Sequence, residues 1–463
     1  MKKPRLQLKP KNKLRVRTSV KLTIAGAAFA VLVATGFLIY YNFGTSTDSM
    51  ANKETQLPDF NWRRKLSFGK DLVKGGELLL NFPLLVSLKD DELRNVGKGG
   101  KVVSPKGYDI RFTKADGITI LPTQIENYNP ATGEVTAWVL LDTLGPKSST
   151  DLFLYYSSAT SRTELPNVLW SDGFEGVWHL NGDVNAKNDR KLKATALGTS
   201  EATGRIGTAR LFNSESKDCA YFPYVESLDL KGDFSFSAWI YLNEAGKEQV
   251  ILSNQGDQPG GYRFYVTKAN HISADFITVA GKRTGVESAG GSGDKLEPKK
   301  WYYVAAVYSA KENRIQTYID GISDRSATII ESPKQTSSAL QMGRDQFGAD
   351  TYFNGILDEV RIASKPLSQA WIATELYNQT NPSQLFVLGK AEELLMDQAS
   401  ISRNKKMLNT SSSEELRNQE IANTLQAKKL PQSGNNPETV SSSAEVIKAR
   451  MENIKRVSEK NKK

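Results

Sequence analysis

The chain is poor in the residues on which most metal and nucleophilic chemistry depends. Its 463 residues include one cysteine, Cys219, and two histidines, His179 and His271. A single cysteine excludes an intramolecular disulfide in any redox compartment. Its setting, KDCAYF, reads as a small hydrophobe on a strand. The histidines are far apart in sequence, and neither stands near a serine nucleophile elbow or at a Cys/His metal spacing, so hydrolase triads and histidine-based zinc sites have no support. His179, in VWHLN, reads as a hydrogen-bonded core histidine. No E-x-D-x-E run occurs. A strand would need that alternation to project paired acids about 5 to 9 Å apart around a glycosidic bond. The adjacent Asp358 and Glu359 would instead point to opposite faces of a strand, a structural role. The glycine-rich stretch Gly290 to Gly293 lacks the lysine of a phosphate loop and reads as a turn. These gaps argue against an enzyme.

Charge is missing altogether from Leu22 to Tyr41, LTIAGAAFAVLVATGFLIYY. Twenty apolar residues rising about 1.5 Å each span a hydrocarbon layer of roughly 30 Å. The preceding 21 residues hold nine Lys or Arg and no acid, so the positive-inside bias predicts a cytoplasmic head and a body that is periplasmic or extracellular. The segment exceeds the usual apolar length of a cleaved signal and reads as an anchor. Net charge of +10 divides into +9 for residues 1–21 and +4 for 390–463, which leaves −3 for 22–389. A nearly neutral body excludes a phosphate-binding groove, and no nucleic-acid partner is expected. From residue 390 onward aromatics vanish. That tail, taken as 389–463, cannot bury enough apolar surface to offset the entropy of ordering. Capping-box spacings at Ser411 with Glu414 and Ser442 with Glu445 are its only helix signals.

Between these ends the sequence is all β. After a polar tether, 42–60, short strand-like runs recur over 61–160: FPLLVSL, YDIRFT, VTAWVLL and DLFLYYS. Asp116-Gly117 and Asn129 to Glu134 supply turns between them. A second series fills 170–388, including FSFSAWIYL, WYYVAAVYS and GILDEVRIA. Two consecutive β-sandwiches are expected. In FSFSAWIYL the alternation puts Phe234, Phe236, Ala238, Ile240 and Leu242 on one face and Ser235, Ser237, Trp239 and Tyr241 on the other. Asp320-Gly321 predicts a tight hairpin. Only Leu367 to Tyr377 reads as helix, capped by Ser368.

The motifs GVWHLNG, FSFSAWIYL, YIDG, LQMGRD and FNGILDEVRIASKPLS make the second region resemble the laminin-G-like, concanavalin A-like jelly rolls, including the pentraxin branch. The first region, through WRRKLSF, FPLLVSL, GYDIRFTKADG, AWVLLDTL and LYYSS, resembles a bacterial domain of unknown function. That family is found next to laminin-G-like domains and biopolymer-transport proteins of the TolQ and ExbB type. The pentraxin resemblance implies calcium held by loop oxygens, here Asp257 and Gln258 with Asp345, Gln346 and Asp350. Trp239 and Tyr241 could line a concave sheet and stack sugar rings. The expected function is membrane-anchored binding or adhesion with a glycan or protein ligand. The alternatives are a scaffold subunit of an envelope or transport complex and, last, a glycan-processing enzyme.

Overall fold

The computed structural model describes residues 56–394 apart from 58, 161–162, 164–167, 189–191, 289–294 and 347–349. The expected anchor Leu22 to Tyr41, the basic head, most of the tether and the tail beyond 394 lie outside the described residues. Among the described residues no helix is long and apolar enough to cross a membrane. The chain divides into two units, Met1–Ser400 and Ile401–Lys463. All that follows belongs to the first.

Four antiparallel sheets build it. In the second region an eight-stranded sheet runs Ile322–Thr328, Arg314–Ile319, Trp301–Ser309, Phe234–Leu242, Gly355–Ala363, Thr208–Phe212 and Ser200–Thr203, with Phe174–Trp178 also paired to Gly355–Ala363. A seven-stranded sheet faces it in the order Arg283–Glu287, Ile272–Ile277, Tyr262–Val266, Gln249–Ser253, Leu340–Met342, Cys219–Phe222 and Thr195–Leu197. The period-2 pattern decides what lies between them. Phe234, Phe236, Ala238, Ile240 and Leu242 are buried in one core with Ala220, Met342, Leu252, Phe264 and Ala274 of the opposing sheet. Cys219 is a free, buried strand residue. The hairpin at Asp320-Gly321 has φ of 47° and 75° at its two corners, as a two-residue primed turn requires.

The first region contributes a three-stranded sheet, Leu79–Lys89, Glu134–Leu144 and Thr123–Asn129, and a four-stranded one. In the latter, Trp62–Phe68 lies between Thr150–Tyr156 and Phe386–Glu393, and Arg111–Lys114 forms an edge. A boundary at Leu388 therefore cuts through a strand. The chain crosses the second sandwich and returns to finish the sheet it began.

The two regions also share one core. Leu84, Val86, Trp138 and Val139 of the first cluster with Trp239, Tyr303, Val307, Trp371 and Ile372 of the second. Helix Gln369–Thr380 mediates much of this contact. Ser368 caps it as expected, its Oγ accepting from the Trp371 amide at 3.1 Å. Its Trp371 ring meets Phe82 at 5.0 Å. The Asn378 amide donates to the Leu85 carbonyl and accepts from the Leu85 N–H, at 2.9 and 2.7 Å, which completes the edge of Leu79–Lys89. The face bearing Ser235, Ser237 and Trp239 is thus covered by protein.

Candidate functional site

Cross-strand register sets out the free face of the seven-stranded sheet. Thr195, Tyr221, Gln341, Ser253, Arg263 and Asp275 are successive partners along one row, so all six project away from the core. At the Arg263 end the row is closed by ion pairs. Arg263 holds Asp275 at 2.7 Å, Glu248 at 3.0 Å and Asp345 at 3.6 Å. At the Tyr221 end it opens into a groove enclosing ≈ 770 Å³.

The groove has an apolar floor and polar walls. Tyr221 and Leu197 present 44% and 52% of their surface side by side on the open face of the sheet. Gln341 donates to Gln346 Oε1, and Gln346 donates in turn to Asp257 Oδ1, both at 3.4 Å. Thr336 and Ser337 form the opposite rim. Both their amides donate to the buried Asp229 carboxylate at 2.9 Å, which holds Ser337 at φ 54°. Arg344 is steadied by donating to the Tyr352 hydroxyl at 3.1 Å. Burial pushes the thiol of Cys219, in the floor, up.

The residues singled out from sequence fall in different places. Asp257, Gln258 and Gln346 line the groove. Asp345 does not; its carboxylate accepts from Ser253 Oγ at 3.3 Å and faces Arg263. Asp350 is exposed and also outside the groove lining. One carboxylate and two amides are fewer than the six to eight oxygens calcium requires. The structure therefore brings three of the five together and leaves Asp345 paired with Arg263. Trp239 is likewise corrected. Trp239 is 3% exposed, donates to Gln379 Oε1 at 2.6 Å and lies beneath Arg205, while Tyr241 is half-buried beside Trp301. A sugar cannot reach Trp239, since the first region covers its face.

Sequence spacing also gave no sign of a second cluster at the seam between the regions. A β-bulge opposite Ser237 and Trp239 puts Glu359 at φ 48°. The extra residue breaks the alternation: Leu357 and Val360 both face the sandwich core, so Asp358 and Glu359 both leave it, in place of the opposite faces expected from sequence. Asp358 Oδ2 accepts from the Arg205 and Ile206 amides at 2.7 and 2.9 Å, and Glu359 turns into the seam. There Glu359 Oε1 is 2.7 Å from His179 Nδ1, and Glu126 Oε2, from the first region, is 3.8 Å from the same nitrogen. Arg361 holds Glu359 Oε2 at 2.7 Å and also pairs with Glu375 of the helix. Its guanidinium packs against both Trp138 and Trp170, 4.6 and 4.7 Å from the ring centroids. His179, Glu126, Glu359, Arg361 and Glu375 are all at least 98% buried.

The network fixes the histidine's protons. Trp170 Nε1 can only donate, so its 2.7 Å partner on Gln124 is the amide oxygen. That same oxygen lies 3.2 Å from His179 Nε2, which must therefore carry hydrogen. Nδ1 faces two carboxylates and carries the second. His179 is an imidazolium, stacked flat on Trp138 at 5.6 Å. Burial pulls its pKa down, but Glu359 and Glu126 outweigh that and hold it above the ordinary value. Burial, helped by Glu359 and Asp358, pushes Glu126 up to about 8. A Glu–His–Glu trio could chelate a metal in principle. Here the imidazolium and the guanidinium already occupy the cation positions around Glu359.

Comparison with known proteins agrees with this architecture. Residues 214–373 match the concanavalin A-like lectin/glucanases superfamily, and residues 106–170 match a domain of unknown function, DUF2341. The chain thus carries a lectin/glucanase-type domain preceded by that second module. Strands Phe174–Trp178 and Thr208–Phe212, outside the first match, complete its sheet. No curated protein matches the chain. Similar solved structures include the binding domain of Paraclostridial mosquitocidal protein 1, at 14% identity over 44% of this chain and 52% of that one, TM-score 0.38. Domain 4 of AbnA, an extracellular GH43 arabinanase from Geobacillus stearothermophilus solved with arabinotriose, is 16% identical over 44% and 97%, TM-score 0.36. The botulinum neurotoxin serotype G binding domain is 13% identical over 44% and 50%, TM-score 0.38. The chain spans about half the length of the toxin binding domains it matches.

Proposed function

We propose that this chain is a membrane-anchored binding protein whose ligand is a glycan, seated in the groove beside Tyr221. The observation that carries the reading is the exposed Tyr221 ring with Leu197, facing a ladder of Gln341, Gln346 and Asp257. Sugars present an apolar face that stacks on an aromatic ring and an edge of hydroxyls that both donate and accept, which amides and carboxylates match. Arg344 and Asp257 balance in charge, which favours a neutral saccharide. The lectin/glucanase match of residues 214–373 supports binding in general. Catalysis is disfavoured because Glu126 and Glu359 are sealed from any polysaccharide and Glu248, Asp275 and Asp345 are taken up by Arg263. The apolar segment Leu22 to Tyr41 would hold the body at the outer surface, where tethering raises local concentration.

A glycan array followed by calorimetry on the full chain in detergent tests this. Tyr221→Ala is expected to weaken the best glycan about tenfold or more, the equivalent of about 1.4 kcal/mol, with Tm unchanged because the ring is exposed. A chelator is expected to leave the affinity as it was. An array without hits, or a Tyr221→Ala variant binding as tightly as wild type, would remove the groove from consideration.

A further inference from the structure

We propose that the buried seam is a proton-held latch: protons on Glu126 and His179 keep the first region locked onto the lectin-type sandwich, and their loss in alkaline solution loosens the two along this line. The inference stands apart from the glycan reading, since no latch residue lines the groove. Its basis is a count of charges that cannot reach water. Strand Gly355–Ala363 brings Asp358, Glu359 and Arg361; helix Gln369–Thr380 brings Glu375; strand Thr123–Asn129 brings Glu126; and His179 follows Phe174–Trp178. Tyr303, from Trp301–Ser309, donates to Glu375 Oε2 at 2.7 Å, and the Arg205 amide serves Asp358. Were all four carboxylates ionised, they would face two cations. With His179 neutral they would face one. Removing such an imbalance from water is costly, so protons are retained where they would otherwise leave.

Glu126, like Asp358, has a buried carboxylate oxygen that no donor among the described residues serves, and so is strongly exposed to this imbalance. Trp138 Nε1 donates to its Oε2 at 2.7 Å, but Oε1 is buried with no hydrogen-bond partner among the described residues. An ionised carboxylate with one oxygen unserved in a dry site is the least stable arrangement there. It is also the only acid of the cluster that belongs to the first region, so its charge acts directly on the contact between regions.

The direction with pH follows from linkage. An unfolded Glu126 would release its proton above 4.5, whereas the folded group keeps it to about 8, so stability falls as pH rises across that window. His179 is raised as well. Its contribution is complete below its unfolded value and disappears as pH climbs through the folded one. Burial and the neighbouring Glu359 raise Asp358, which adds in the same direction. Glu359 is lowered against its own burial by His179 and Arg361, so its contribution exists above the unfolded value and is lost only toward acid. Stability is greatest near about pH 5 to 6.

Melting of the full chain in detergent, followed by tryptophan emission, and hydrogen exchange at pH 6 and 8.5 test the latch. Tm is expected to fall by about 3 to 5 °C between the two. Exchange should quicken in Thr123–Asn129 and Phe174–Trp178 before it does in Phe234–Leu242. Glu126→Gln, neutral at every pH, is expected to roughly halve the fall in Tm. A level Tm, an undiminished fall in Glu126→Gln, or exchange that quickens evenly through all strands would overturn the latch. Should the variant not fold, the exchange pattern of the wild type decides alone.

Discussion

Arg361→Met is expected to destabilise the described unit by about 3 to 5 kcal/mol, seen as a fall in the urea midpoint with an unchanged slope. The guanidinium is 2% exposed and pairs with both Glu359 and Glu375, so its removal leaves Glu375 buried without a cation and Glu359 with His179 alone. Methionine fills the volume and keeps contact with Trp138 and Trp170, which separates lost charge from lost packing. Arg361→Lys should fall between wild type and Arg361→Met. An ammonium is a point charge that lacks the planar fork by which the guanidinium serves two carboxylates while packed against two indoles. A Met variant within about 1 kcal/mol of wild type would mean that Glu359 and Glu375 take up protons at little cost, and the charge count behind the seam would fail.

What the sequence disclosed and what it withheld divide along contact range. Alternation in FSFSAWIYL put Phe234, Phe236 and Ile240 on one shared face, which the structure shows to be the core face, because the sharing of a face along a strand is a local property. Ser368 as a cap and Asp320-Gly321 as a hairpin corner were legible for the same reason. The same pattern put Trp239 on the other face but could not say what covers that face. The answer is a helix 130 residues later and a region 100 residues earlier. Asp358 and Glu359 were expected on opposite faces, but the bulge opposite Ser237 and Trp239 puts both on the side away from the sandwich core, between the inward-facing Leu357 and Val360, and aims Glu359 at His179. The groove was half visible: Asp257, Gln258 and Gln346 were named for calcium. Tyr221, the residue that gives the groove its chemistry, carried no signal beyond one aromatic in a short strand. The junction trio was illegible, since Glu126 in TQIENY looks like any solvated strand acid.

Removal of residues 386–463 is expected to lower Tm by about 5 °C or more and cause aggregation, whereas removal of 401–463 alone should leave Tm within about 1 °C. The difference isolates one strand and its flank. Phe386–Glu393 supplies the partner of Trp62–Phe68 from Phe68↔Phe386 to Trp62↔Glu393. With it would go ladder hydrogen bonds of about 1 kcal/mol each, the Phe68–Phe386 contact at 5.2 Å and the Arg63–Glu392 pair at 2.8 Å. Leu394, just beyond, closes a small core with Leu57, Phe60 and Tyr155. The stripped strand would become an open edge with unpaired N–H and C=O groups, the ordinary template for association between molecules. Because that edge belongs to the first region while the deletion is made at the far end of the second, the outcome reports whether the two regions fold as one body. A chain ending at Leu385 that melts like wild type would show two separable sandwiches, and the returning strand would be an ornament on a sheet that does not need it.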